Sequence, residues 1–547
     1  MKRPQREPFP GGFPLSLVAP APIDSDHAAM DIDVPTTFAD PLPPNRLVVL
    51  GDSLSHGFKS FAVHETDISF PAMIAKELGW DAEFRRPHYA GPEICPGLPM
   101  NIEALIRAME RNATSLPLNL ADQVATIASV LGHLKFYWEV GDGKKDPEDD
   151  RFNHNLAVWG WDIGDATSKS LGWCQDRVNS GWLSEFAHPK SLPFVAHPQE
   201  RSAVRSLWGP KTIPAHEITQ ASAAQTLGQE GNGPHGIETL IIELGANNAL
   251  GAVIGMNVKW SGDDHEDLDK KAAGGYTVWQ PKHFKESLDK LVTEINKVRA
   301  RHVIWCTVPH VTIAPILRGV GEKPAYSRYY ARYTRPWIDD EEFDPAFHPC
   351  LLGDEARAID SAIDQYNIYI KQTVADARHA KNDWLLFDLC GLLDRLAYKR
   401  YIASPESRPY WWSSLDNPLE TAPYELPRLL KGLSPRPDTR FLSGDQFGRT
   451  QGGIVAFDGV HPTTVGYGIA AHELIRVMSR AGVVFQGAAD IDAIDTPAWI
   501  DEFWTRVIDS DLLLKDMPMS ISENLELIRT LNEEFDIYRH LTGHSPV

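Results

Sequence analysis

Four short stretches of the chain set chemically useful residues at the ends of apolar runs. In the first, Leu47-Val48-Val49-Leu50 breaks off into Gly51-Asp52-Ser53-Leu54-Ser55. In the second, Asn155-Leu156-Ala157-Val158 leads through Trp159 to Gly160 and Trp161. In the third, Ile237-Glu238-Thr239-Leu240-Ile241-Ile242-Glu243-Leu244 runs into Gly245-Ala246-Asn247-Asn248. The fourth, Asp458-Gly459-Val460-His461-Pro462-Thr463, precedes a helical pattern. A hydroxyl, an amide, a carboxylate and an imidazole are thus spread over four loop stations. A serine at the carboxyl end of a strand could act as a nucleophile, provided a base and an oxyanion stabiliser stand beside it. Taken alone, a serine in such a turn is more often a turn or cap residue.

Ser, Gly, Asn and His in this order, each in its own block, resemble the GDSL (SGNH) hydrolases. The likeness covers the strand-bearing skeleton, about 45–480, and skips long insertions. It implies an α/β fold: a three-layer α/β/α, flavodoxin-like sheet of about five parallel strands. It also implies hydrolysis of carboxylic esters through an acyl-enzyme. No GxSxG elbow occurs in the chain, so the main α/β-hydrolase pattern does not compete. One departure is visible: the third block usually reads Gly-x-Asn-Asp, and here Asn248 replaces the Asp. The spacings from Ser53 to Gly160 and from Asn247 to His461 also exceed those of compact members.

On this resemblance Ser53 attacks the acyl carbon, and a base must take its proton as it does so. His461 fits that task, because an unperturbed imidazole titrates near working pH. Asp458, three positions earlier, can reach one ring nitrogen while the other faces Ser53, fixing the tautomer and stabilising the imidazolium. The resemblance assigns the oxyanion hole to the backbone N–H groups of Ser53 and Gly160 and the side-chain amide of Asn247. Plainer readings stand beside these. Asp458 could cap the next helix, His461 could be a loop histidine, and Gly160 and Asn247 could be turn residues. Asp52 is expected to bond backbone within its turn. Two other functions fit the same blocks: acyl transfer, or a catalytically silent binding module.

The elements that must hold these stations alternate along the chain. Strand patterns at 47–50, 155–161, 237–244, 302–308 and 384–389 are separated by helical periods. Ser69 reads as a helix N-cap, with Pro71 in the first turn, Ile74 and Leu78 on one face and Gly79 as a stop. Helical stretches are expected at Ile102–Met109, Leu120–Leu134 and Phe284–Val298. Ile359, Ile363, Tyr366, Ile370 and Val374 recur at helical spacing, and Ala470, Leu474, Val477 and Met478 form another stripe. Strand and helix in alternation predict a parallel sheet covered on both faces. Residues 1–44 read as an irregular arm and 45–483 as the hydrolase domain. Its insertions lie near 85–150, 165–235 and 402–456, where a lid or substrate wall would sit. Residues 484–547 read as a helical, acidic C-terminal extension that packs on the rest.

Of 547 residues, 53 are Lys or Arg and 74 Asp or Glu, a net charge of -21. That excess repels phosphate backbones, so no nucleic-acid partner is expected. The expected partner is a small-molecule, lipid or carbohydrate ester. Trp159, Trp161, Trp411 and Trp412 could line its site or belong to the core. Cys95, Cys174, Cys306, Cys350 and Cys390 lack metal-ligand spacing, and the acidic run at 263–267 reads as a solvated loop. No cofactor or metal is called for. No apolar run is long enough to span a bilayer. Prolines interrupt the N-terminal stretch where a signal peptide's apolar core would lie. A cytoplasmic location is the simpler reading and secretion the alternative; the sequon at Asn112 matters only in the second case.

Overall fold

The computed structural model describes residues 41–112, 120–180, 194–272, 275–323, 327–400, 424–445, 447–518 and 529. Nearly all of the expected N-terminal arm, with Trp182, Trp411, Trp412, Thr114 and most of the chain after 518, lies outside the described residues.

Four parallel strands form the central sheet: β1 (Asn45–Gly51), β2 (Ile237–Glu243), β3 (Ala300–Cys306) and β4 (Trp384–Phe387), side by side in that order. The register pairs Gly51 with Glu243, and Ile242 with Trp305. These strands read as continuous apolar runs because both faces are covered. Leu47 and Val49 face one layer, and Val48 and Leu50 the other. On the first face lie α1 (Phe70–Glu77), α6 (Thr464–Arg480) and α7 (Pro497–Ser510). On the second lie α2 (Gln220–Gly228), α3 (Asn247–Gly255), α4 (Pro281–Ile295) and α5 (Gly353–His379). Ser69 caps α1 by accepting from the Ala72 N–H, as its sequence predicts.

The run at 155–161 is not a regular strand. Residues 154–158 do hydrogen-bond along the free edge of β1: Val49 N–H to His154 O at 2.8 Å, Leu156 N–H to Val49 O at 2.9 Å, Val158 N–H to Gly51 O at 3.1 Å. The ladder then stops, because Gly160 turns with φ +76°. In the 165–235 piece, expected to be an insertion, more than half of the described residues are helical, those of α2 among them. Ala221, Ala223 and Ala224 let α2 lie close to the sheet, and so small an apolar face leaves little period in the sequence. In the 402–456 piece, a hairpin at Ser443–Asp445 and Gly448–Gln451 is present.

The loop after β3 enters a buried charged cluster. His310 donates to Asp394 from Nδ1 at 2.9 Å and to Asp364 from Nε2 at 2.8 Å. Arg328 adds a bond to Asp394 at 2.7 Å, and Arg400 pairs with Asp360. Burial opposes charge on His310, but the anionic groups around it, Asp394, Asp360 and Asp364 among them, hold its pKa well above the ordinary value.

The chain's last described helices belong to the same core. Phe503, Trp504 and Val507 of α7 pack with α6. Arg506 forks onto the Glu77 carboxylate at 2.6 and 2.7 Å. Just past α7, Asp511 Oδ2 accepts from the Val465 N–H in the first turn of α6 at 2.9 Å. The five cysteines form no disulfide. Among the described residues no helix is long and apolar enough to cross a membrane, and no His/Cys/Asp/Glu group could hold a metal ion.

Candidate active site

Because the sheet is parallel, its carboxyl ends share one edge, and three of the four stations leave from there. β1 ends at Gly51 and opens into a short helix, Ser53–His56. Gly51 serves by close approach: a side chain there would meet the Ser55 side chain and stand 3.0 Å from Glu243 O. Asp52 caps the short helix, its Oδ1 taking the Leu54 N–H at 3.1 Å, the backbone bond expected of it. Ser53 is buried to 6 % exposure at the first position of that helix. Beyond β2, Gly245 and Ala246 bring Asn247 to the start of α3. The edge segment 154–158 delivers Gly160 beside them.

Two clamps tie these ends together. Gln220 of α2 donates from Nε2 to both Gly51 O and Leu156 O, each at 2.9 Å. Asn155 Nδ2 donates to Ser55 O at 2.8 Å. His56, at the end of the serine helix, accepts the Trp159 N–H on Nδ1 at 3.1 Å. Its Nε2 meets the Tyr89 hydroxyl at 2.9 Å. Burial pushes the His56 pKa down to about 3, so the ring is neutral; with Nδ1 accepting, Nε2 carries the proton. The turn ahead of Gly160 is therefore pinned to the serine helix. Sequence reading missed Gln220, Asn155 and His56 as site-building residues; only the adjacency of His56 to the serine turn hinted at the third.

Asn247 donates from Nδ2 to Trp161 O at 2.9 Å, which leaves its second N–H for another acceptor. Asn248 stands where the resembled family has Asp. Its Oδ1 accepts the Ile163 N–H at 3.2 Å, a bond a carboxylate would also make, while its Nδ2 has no partner among the described residues. The loop departure thus keeps the acceptor and orphans the amide nitrogen. No acceptor among the described residues takes the backbone N–H of Ser53 or Gly160.

The fourth station comes from across the molecule. Asp458 and His461 sit on the loop just before α6, and both are buried. Asp458 Oδ1 accepts the N–H groups of Val460 at 2.9 Å and His461 at 2.8 Å. Its Oδ2 accepts from His461 Nδ1 at 3.1 Å and from the Phe61 N–H at 3.2 Å. Burial works against the Asp458 charge, but His461 and these backbone donors hold its pKa below the ordinary value. Thr463, not Asp458, caps α6 by accepting the Gly466 N–H.

With Nδ1 engaged, His461 has Nε2 left to receive a proton. Among the described residues no hydrogen bond joins that atom to the Ser53 hydroxyl. The two loops are nonetheless in contact through Phe58, whose ring lies 4.5 Å from that of His461 and 5.3 Å from that of Trp159. The Phe58 N–H bonds Ser53 O at 3.1 Å, and the Tyr467 hydroxyl of α6 bonds Phe58 O at 2.5 Å. Trp159 and Trp161 are buried.

Behind Ser53 lies a buried carboxyl pair, Asp52 and Glu243. Burial lifts the Asp52 pKa to about 6, against the lowering pull of the Leu54 N–H and the His461 charge. Burial also raises Glu243 well above the ordinary carboxyl value, Asp52 adding to it. Glu243 accepts the Ser55 hydroxyl at 2.8 Å. The Asp52 charge thus adds to burial in favouring the protonated form of Glu243. Comparison with known proteins adds no relative: no family model, no curated protein and no solved structure matches the chain.

Proposed function

We propose that the chain is a serine ester hydrolase of the GDSL (SGNH) type, acting through Ser53, His461 and Asp458. The observation that carries the reading is the Asp458–His461 pair. The carboxylate takes Nδ1, presents Nε2 and is itself bonded to Phe61, five residues beyond the helix that starts with Ser53. The sheet supports it too. Counting 154–158 as the second strand gives the order 2-1-3-4-5, the flavodoxin-like arrangement, with ligands expected at the strands' carboxyl ends.

In this reading Ser53 Oγ attacks the ester carbonyl as His461 Nε2 takes its proton. The imidazolium is stabilised by Asp458. The tetrahedral oxyanion accepts from the N–H groups of Ser53 and Gly160 and the second Nδ2 hydrogen of Asn247. His461 then returns the proton to the leaving alcohol, and water releases the acyl group by the same steps. The test uses p-nitrophenyl acetate and butyrate, with a fluorophosphonate probe in parallel. Wild-type protein turns both esters over and is labelled at Ser53, and Ser53→Ala does neither. Equal turnover by the two proteins overturns the assignment. Added glycerol separates transfer to an alcohol from hydrolysis.

A further inference from the structure

Gly160 has a neighbour that the proposed machinery leaves unused. The side chain of Gln199 approaches it end on. From the position a Cβ of residue 160 would take, Gln199 Nε2 is the nearest atom, Cδ follows at 3.3 Å and Cγ at 4.0 Å. The amide orientation is decided by Lys169, whose Nζ lies 3.4 Å from Gln199 Oε1. An ammonium has donors only, so the atom facing it must be the carbonyl oxygen, and the NH₂ must point to Gly160. Lys169 is itself fixed. It pairs with Asp165 at 3.1 Å and lies over the rings of Trp161 (5.8 Å) and Trp173 (5.6 Å). Asp165 is buried and bonds the Asp162 N–H at 3.1 Å, two residues after Gly160. No acceptor among the described residues takes Gln199 Nε2. Two amides thus meet the Gly160–Trp161 turn: Asn247 on Trp161 O, and Gln199, anchored on Lys169, against Gly160.

We propose that Gln199 is a substrate-contacting donor of this site, its NH₂ held over Gly160 by Lys169 and offered to the ester carbonyl as that oxygen gains charge. The proposal rests on the ester-hydrolase reading and extends it. An aligned donor acts on a developing oxyanion more strongly than on the ground-state carbonyl, so its loss falls on kcat rather than KM. Lys169 is a positioning residue: without it the amide is free to turn, and the donor is lost by a different route.

The experiment compares wild type, Gln199→Met, Lys169→Met and the double variant on p-nitrophenyl acetate. Methionine keeps the bulk that Gln199 places on Gly160 and removes the donor. Loss of one principal oxyanion donor costs about 10²–10³ in turnover; for a peripheral one, a fall of about tenfold in kcat at nearly constant KM is expected. Lys169→Met should lower kcat in the same sense. The double variant should be no slower than Gln199→Met, because both changes remove the same bond. The inference is overturned if Gln199→Met keeps kcat within about twofold of wild type, if the loss sits in KM alone, or if the two changes multiply. Should Gln199→Met fail to fold, Gln199→Ala takes its place with the same expectations. Wild-type protein that neither turns over the ester nor labels at Ser53 refutes the ester-hydrolase reading and this inference together. Ser53-dependent turnover indifferent to Gln199 refutes this one alone.

Discussion

Replacing Asp458 by asparagine tests the site at its most heavily bonded point. In the native loop Oδ1 takes two backbone N–H groups, and Oδ2 takes His461 Nδ1 and the Phe61 N–H. Asparagine keeps an oxygen for the first pair but turns an NH₂ toward the second, so three donors converge with no acceptor. The imidazole escapes the clash by moving its proton to Nε2, the atom that the proposed mechanism needs as acceptor from Ser53. Nδ1 then takes the new NH₂, and the Phe61 N–H is the donor left stranded, at a cost of about 1–3 kcal/mol. Turnover should then fall about 10⁴-fold, the size of the effect when a triad carboxylate becomes an amide. Urea unfolding and p-nitrophenyl acetate kinetics on the same preparations read both quantities. The stability part has a pH signature. The Asp458 pKa is depressed in the folded state, so its stabilisation is complete above the unfolded value near 4 and fades as pH falls through the lower folded value. The gap between variant and wild type should therefore narrow only below about pH 4. A folded Asp458→Asn protein that keeps kcat within about tenfold of wild type would refute the assignment of Asp458 as the orienting group.

Three further outcomes are expected. Asp52 goes from the ordinary 3.8 to about 6 on folding. A raised carboxyl pKa means stability is lost as pH rises from about 4 to about 6, by about 3 kcal/mol. Asp52→Asn keeps the Leu54 cap and should flatten the slope of urea midpoints between pH 4 and 8 by the Asp52 share, leaving the same-signed share of Glu243; an unchanged slope rejects burial of Asp52 as its cause. Gln220→Leu removes both bonds that clamp Gly51 O to Leu156 O and should cost about 1–3 kcal/mol, with kcat falling more than KM rises. An effect below about 0.5 kcal/mol would show the clamp to be idle. His310→Leu strands Asp364 and removes one cation from Asp394, which keeps Arg328, and should destabilise by about 3–5 kcal/mol. A midpoint within error of wild type would contradict the ionised cluster.

The sheet was legible because β1 to β4 are buried on both faces and read as unbroken apolar runs. Ser69 announces its helix by type and position, whereas the cap of α6 is Thr463 and not Asp458, the residue the sequence offered for it. α2 was hidden by its alanines, whose burial leaves no amphipathic contrast. The edge segment 154–158 was half legible: its residues look like a strand, but its pairing stops where Gly160 turns. Ser53, Gly160, Asn247, Asp458 and His461 are the candidates their blocks single out. Gln220, His56 and Gln199, which bond or touch the same loops, are not singled out, because they act across long sequence separations through one or two hydrogen bonds each. At Asn248 the sequence shows only that the Asp of the resembled block is replaced; its contact with Ile163 shows that an acceptor is present there.

One bond near the end of the chain has a temporal consequence. Asp511 tethers the first turn of α6, four residues past His461, and α7 fastens the same bundle to α1 through Arg506 and Glu77. During synthesis every station of the site emerges from the ribosome before that tether exists. Competence for chemistry should then appear late, once the segment around 511 has emerged and docked. A chain stopped short of Asp511 should carry all five site residues and still be slow. Adding the missing segment as a separate peptide is the direct way to see the delay, since activity should rise with docking and not with translation of the site itself.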